Sequence, residues 1–131
     1  MSTNVSLYIQ YDSKDGRCTF GPNPLEQLGD NLYRVLCNTM EEEFDFMDVI
    51  ETEPIDDNTI RFVRVAERGN WRVYCFGLSK RLIESDSLRS FLEQCETRKI
   101  HWERILGGLL FLSVPPDMDY DPSDDIQALT E

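Results

Sequence analysis

The side chains able to do chemistry in this 131-residue chain are one histidine, four cysteines and 25 carboxylates. A serine or cysteine nucleophile needs a base beside it, and His101 is the sole imidazole. It stands in His101-Trp102-Glu103-Arg104, which matches no nucleophile–base signature and reads as part of a strand. The cysteines, at 18, 37, 75 and 95, show no Cys-x-x-Cys pair of the kind that zinc sites use. The apolar neighbours of Cys37, Cys75 and Cys95 predict small core residues in a reducing compartment. Acids are too abundant for any pair to mark a glycosidase. Asp117-x-Asp119-x-Asp121 has calcium-loop spacing without the glycine and the distant glutamate. No Gly-rich phosphate loop occurs. These observations predict no catalytic residue, no metal and no cofactor, and hence a protein that is not an enzyme.

Charge is the feature with a distribution. Asp plus Glu number 25 against 13 Lys plus Arg, a formal net charge of −12. Such a chain is a poor partner for nucleic acid or for an anionic membrane surface. Residues 41–58 hold nine acids and no base, and residues 116–131 hold six acids and no base. Charge of one sign steers an oppositely charged protein. Phe44 and Phe46 lie among the carboxylates, and an aromatic anchor in a charged rim suits an interface. The candidate partner-binding residues are Glu41, Glu42, Glu43, Phe44, Asp45, Phe46 and Asp48. The competing expectation is a solvated loop whose aromatics turn inward. Arg61, Arg64, Arg68 and Arg72 are expected to pair with the acidic block across a sheet.

Those residues need a scaffold. Val5 to Tyr11 alternates apolar and polar residues, as a half-buried strand does. Asp12 to Gly16 turns it into a return strand, Arg17 to Phe20, and Gly21-Pro22-Asn23-Pro24 punctuates the chain. Leu25–Leu28, Leu32–Cys37, Asp48–Ile55 and Thr59–Val65 read as further extended pieces, so residues 1–66 suggest a small barrel or curved sheet. Residues 38–46 have no period. Residues 67–115 read as βαββ. Trp71–Phe76 is a strand, and Ser79 caps a short turn holding Leu82 and Ile83. Ser85 or Asp86 caps a helix with Leu88, Phe91, Leu92 and Cys95 on one stripe. Ile100–Ile105 and Leu109–Val114 form a hairpin about Gly107-Gly108. The acidic segment 116–131 is expected to be mobile, or at best to end in a short helix. The fold class is therefore α+β, a β-rich half packed with a βαββ half.

The order of Leu28-Gly-Asp-Asn-Leu-Tyr-Arg-Val35, Phe46-Met-Asp-Val-Ile-Glu51, Trp71-Arg-Val-Tyr74 and Leu112-Ser-Val-Pro-Pro-Asp117 resembles a family. It is an uncharacterised family of small bacterial proteins, a domain of unknown function. The likeness spans roughly residues 20–117 and implies a β-rich first half and a βαββ second half. It brings no activity. The family tends to carry glycine directly before the aspartate of its D-V strand, where this chain has Met47.

Met1 to Val5 lacks the basic and apolar regions of a signal peptide, and no apolar run is long enough to span a bilayer, so a cytoplasmic location is expected. The expected function is a non-enzymatic acidic module that binds a basic protein, for example an immunity or inhibitor protein covering a toxin. The alternatives are a small-molecule-binding regulatory domain with Trp71, Tyr74 and Trp102 around its ligand, and, less favoured, a hydrolase built on His101.

Overall fold

The computed structural model describes residues 3–14, 16–39, 41, 43–105 and 107–130. Strands dominate, and in the broad sense the chain is α+β. It divides into two units, Met1–Asn70 and Trp71–Glu131.

In the first unit β1 (Thr3–Ser13), β2 (Gly16–Gly29), β3 (Leu32–Val35), β4 (Val49–Asp56) and β5 (Thr59–Glu67) follow one another around a curved sheet. Consecutive strands pair antiparallel, and a parallel β1–β5 pairing from Tyr8–Thr59 to Gln10–Arg61 closes the sheet into a barrel. Closure leaves no long bare edge. The two-residue period places Val5, Leu7 and Ile9 of β1 inward. They meet Leu25, Tyr33, Val35, Ile50 and Ile60 from the other strands. Burying each large apolar side chain contributes about 1.5–3 kcal/mol.

The expected break at residues 21–24 is bridged. β2 runs through it as one strand with an irregularity opposite Leu7–Ile9, and the Gly21–Pro22 peptide is cis. Pro22 and Pro24 bring no N–H to the ladder. The buried Asn23 side chain supplies donors instead, to the carbonyls of Leu7 at 3.2 Å and Phe20 at 3.1 Å.

The second unit contains β6 (Arg72–Gly77), α1 (Lys80–Ile83), α2 (Asp86–Thr97), β7 (His101–Ile105), β8 (Leu109–Val114) and α3 (Ser123–Gln127). Its antiparallel sheet has the order β6-β8-β7. The continuous apolar run Leu109–Leu112 lies in the central strand, whose residues from Leu110 to Val114 are all buried. Ser79 Oγ accepts the Leu82 N–H and Ser85 Oγ accepts the Leu88 N–H, each at 3.1 Å, so serine caps both helices. Leu88, Phe91, Leu92 and Cys95 of α2 pack with Leu110, Leu112 and Val114.

The acidic C-terminal segment is seated on this core. Pro122 and Ile126 are buried, and Met118, Tyr120 and Leu129 pack against the same cluster. The Arg98 guanidinium lies 4.2 Å from the centre of the Tyr120 ring, and Arg72 donates to the Met118 carbonyl. Asp121 accepts the Ser123 N–H at 2.9 Å, and its bonds to Ser123 hold the carboxyl below the usual carboxylate range. Six acids made this segment look unsupported in sequence, but a few apolar residues placed on an existing core suffice to seat it.

Candidate functional site

The segment between β3 and β4 carries the acids singled out in the sequence. The structure turns it into a self-bonded loop that covers part of the barrel. Thr39 Oγ1 donates to the Phe44 carbonyl at 2.8 Å, and the Glu41 N–H reaches Thr39 Oγ1 at 3.2 Å. Asp45 Oδ1 accepts the N–H groups of Thr39 at 3.0 Å and Phe46 at 2.8 Å. β1 pairs with β5 only as far as Gln10–Arg61. Beyond it Phe44 packs into an aromatic chain, its ring 4.6 Å from Phe62 and 6.2 Å from Phe20, which in turn meets Tyr11 edge-on at 5.5 Å. Glu41 hydrogen-bonds the Tyr11 hydroxyl, and this bond, with burial adding to it, raises the phenol to about 12.

The seven predicted partner-binding residues therefore separate into different roles. Phe44 is 1% exposed and Phe46 8%, so neither projects as an interface anchor. This matches the competing expectation of a loop whose aromatics turn inward; Phe44 belongs to the barrel core, where apolar contact outweighs exposure to solvent. Asp48 is also buried, and its carboxylate is a latch. Its Oδ1 accepts Gly69 N–H at 2.9 Å, and its Oδ2 accepts Asp45 N–H at 3.0 Å and Arg68 Nη1 at 3.2 Å. Arg68 also donates to the Glu43 carbonyl at 2.9 Å. Gly69 packs so closely that an added Cβ would sit 2.5 Å from the Met47 carbonyl oxygen. Met47 itself has φ 71°, a conformation suited to glycine. Glu43 is exposed, Glu41 and Asp45 are half-buried, and Glu42 lies outside the described residues.

The described acids of 41–58 are not one patch. Glu41, Glu43 and Asp45 stand before β4, whereas Asp56 and Asp57 stand at its far end. The seven steps of about 3.3 Å along the eight residues of β4 separate these ends by about 23 Å, well beyond the screening length of about 8 Å at physiological salt. Between them Glu51 is neutralised by Arg64 at 2.7 Å. Arg61 is Cα partner to Glu53 but its guanidinium pairs with Asp12, at 3.1 Å. Arg72 belongs to the second unit, where it holds the C-terminal segment.

The residues of the alternative functions also have structural posts. His101 Nε2 lies 2.8 Å from Glu103 Oε2, and Ser113, its register partner, is 0% exposed. Tyr74 and Trp102 pack against the core of the second unit. Cys95 is buried, and burial pushes its thiol up to about 11. Cys75 is exposed, contrary to the core position expected for it, because it faces away from the α2 side of an edge strand. Among the described residues no three His, Cys, Asp or Glu side chains are grouped to hold a metal ion, and no helix is long and apolar enough to cross a membrane.

The second unit also has a groove of about 470 Å³ between α1–α2 and β7, floored by Ile83, Leu92 and Trp102 and rimmed by Glu93, Glu96 and Arg104. Sequence reading missed it. The helix stripe and the strand were each legible, but the space between them depends on how they pack.

No family model and no curated protein matches this chain. Among solved structures it is similar to a hypothetical protein from Neisseria gonorrhoeae, with a TM-score of 0.59 and 13% identity. The match covers 95% of this chain and 82% of that one. At that identity the likeness concerns the fold alone.

Proposed function

We propose that this chain is a cytoplasmic, non-enzymatic binding module of the uncharacterised bacterial type that it resembles in sequence. It captures a basic protein through the loop at residues 41–45, in the manner of an immunity or inhibitor protein. The observation that supports this reading is the loop's construction. Phe44, Phe46 and Asp48 are spent inward, and side-chain to backbone bonds from Thr39 and Asp45 tie residues 39, 41, 44, 45 and 46 together. Carboxylates on a prearranged loop meet a cationic surface without first losing conformational entropy, and their charge speeds encounter.

The test is co-expression with the product of the adjacent gene, followed by co-purification at low and at high salt. Glu42→Lys combined with Glu43→Lys is expected to abolish capture at low salt. Glu53→Lys combined with Asp57→Lys, at the far end of β4, is expected to leave it intact. If both double variants behave alike, the loop is not the binding surface.

A further inference from the structure

The groove of the second unit lies beside β7, an edge strand of its sheet. Among the described residues β7 pairs with β8 alone, from His101–Ser113 to Ile105–Leu109. Half of the backbone N–H and C=O groups of an edge strand point away from its partner and can accept another strand. Trp102 and Arg104, two residues apart, lie on the groove side of β7, because alternate strand residues share a face. Edge strands are commonly guarded by charge. Here the Glu103 carboxylate is engaged by His101 at 2.8 Å, which leaves the large ring of Trp102 beside the edge.

Helix α2 and β7 are joined by residues 98–100 and run in opposite directions. At the joined end Trp102 Nε1 donates to Glu96 Oε1 at 3.0 Å, which fixes the indole and brings a carboxylate to its rim. Toward the other end the groove is walled by Ile83 and Glu84. Of its two guanidiniums, that of Arg89 already pairs with Asp86 at 3.2 Å. The three carboxylates, of Glu84, Glu93 and Glu96, therefore outweigh Arg104.

We infer that β7 takes up an extended basic segment of a partner chain as a fourth strand. A lysine or arginine of that segment lies over Trp102 within reach of Glu93 and Glu96. An aliphatic side chain two residues away rests on Ile83 and Leu92. The backbone ladder supplies the affinity, and the alternate side chains supply the selection. A cation over an indole beside carboxylates combines cation–π and ionic attraction. The inference is independent of the acidic loop, since every residue it uses belongs to the second unit.

The probe is a blocked peptide of sequence Thr-Lys-Thr-Val-Thr, added to the full chain in a Trp71→Phe background so that fluorescence reports Trp102. Amide exchange of β7 is measured alongside. The expected result is quenching or a spectral shift together with slowed exchange at Trp102 and Arg104, whose backbone N–H groups face away from β8. Exposed Glu93→Lys weakens binding by roughly tenfold, and alternate N-methylation of the peptide abolishes it. Equal binding by the N-methylated peptide, or a fluorescence change without β7 protection, would indicate a groove ligand and overturn strand addition. Protection that grows with protein concentration and needs no peptide would mean that a second copy occupies the edge. No response up to millimolar peptide would also refute the inference.

Discussion

Asp48 is the residue whose replacement tests the loop architecture most directly. Its carboxylate accepts from the backbone N–H groups of Asp45 and Gly69, at 3.0 and 2.9 Å, and from Arg68 at 3.2 Å. Truncation to alanine strands the two N–H groups, and an unpaired buried donor costs about 1–3 kcal/mol. Asp45 and Gly69 are half-buried, so the lower part of that range applies to each. The Arg68 side chain is 57% exposed, and its ion pair adds less than about 1 kcal/mol. Asp48→Ala is therefore expected to lower stability by about 3 kcal/mol. For a unit of this size that corresponds to a fall in Tm of about 15 °C. Asp48→Asn keeps one acceptor oxygen and should lose about half as much. Glu43→Ala, whose exposed carboxylate is not part of the latch, should stay within about 0.5 kcal/mol of the parent. Urea unfolding followed by circular dichroism measures all three. If Asp48→Ala unfolds within about 0.5 kcal/mol of the parent, the carboxylate does not hold the loop, and the case for a prearranged binding surface goes with it.

Three other outcomes are expected. Lys99 ends α2 at φ 63°, with Ile100 N–H bonded to the Cys95 carbonyl at 2.8 Å, so Lys99→Gly should stabilise by about 1 kcal/mol, read as a higher unfolding midpoint. Exposed Cys75 should react with a thiol reagent at pH 8, while Cys95, buried and raised to about 11, should react only on unfolding; equal rates in the native protein would refute its placement. Tyr120 is raised to about 12, by burial and then by its hydrogen bond to Asp125. A raised phenol contributes stability that is fully present below its unfolded pKa of about 10 and is lost as pH rises through the folded value. Tyr120→Phe should therefore lose less stability than the parent between pH 10 and 12, and parallel alkaline melting curves would contradict this.

What the sequence alone determined is local. The stripe of Leu88, Phe91, Leu92 and Cys95 and the caps Ser79 and Ser85 are legible, because a helix sets its side-chain geometry within a few residues. The alternation in β1 and the Gly107-Gly108 turn are legible for the same reason. Only the tertiary structure decided what the acidic run is. Phe44 turns inward because Phe20 and Phe62, 24 residues before it and 18 after it, stand there to receive it. Asp48 becomes a latch because Arg68 and Gly69 return along β5 to meet it. The length of β4 then parts the remaining acids into two separate ends. Likewise the groove beside β7 exists only once α2 has packed. A run of like charge specifies solvation but no position; the position of each carboxylate follows from apolar residues far away in the chain, whose burial leaves it only one place to stand.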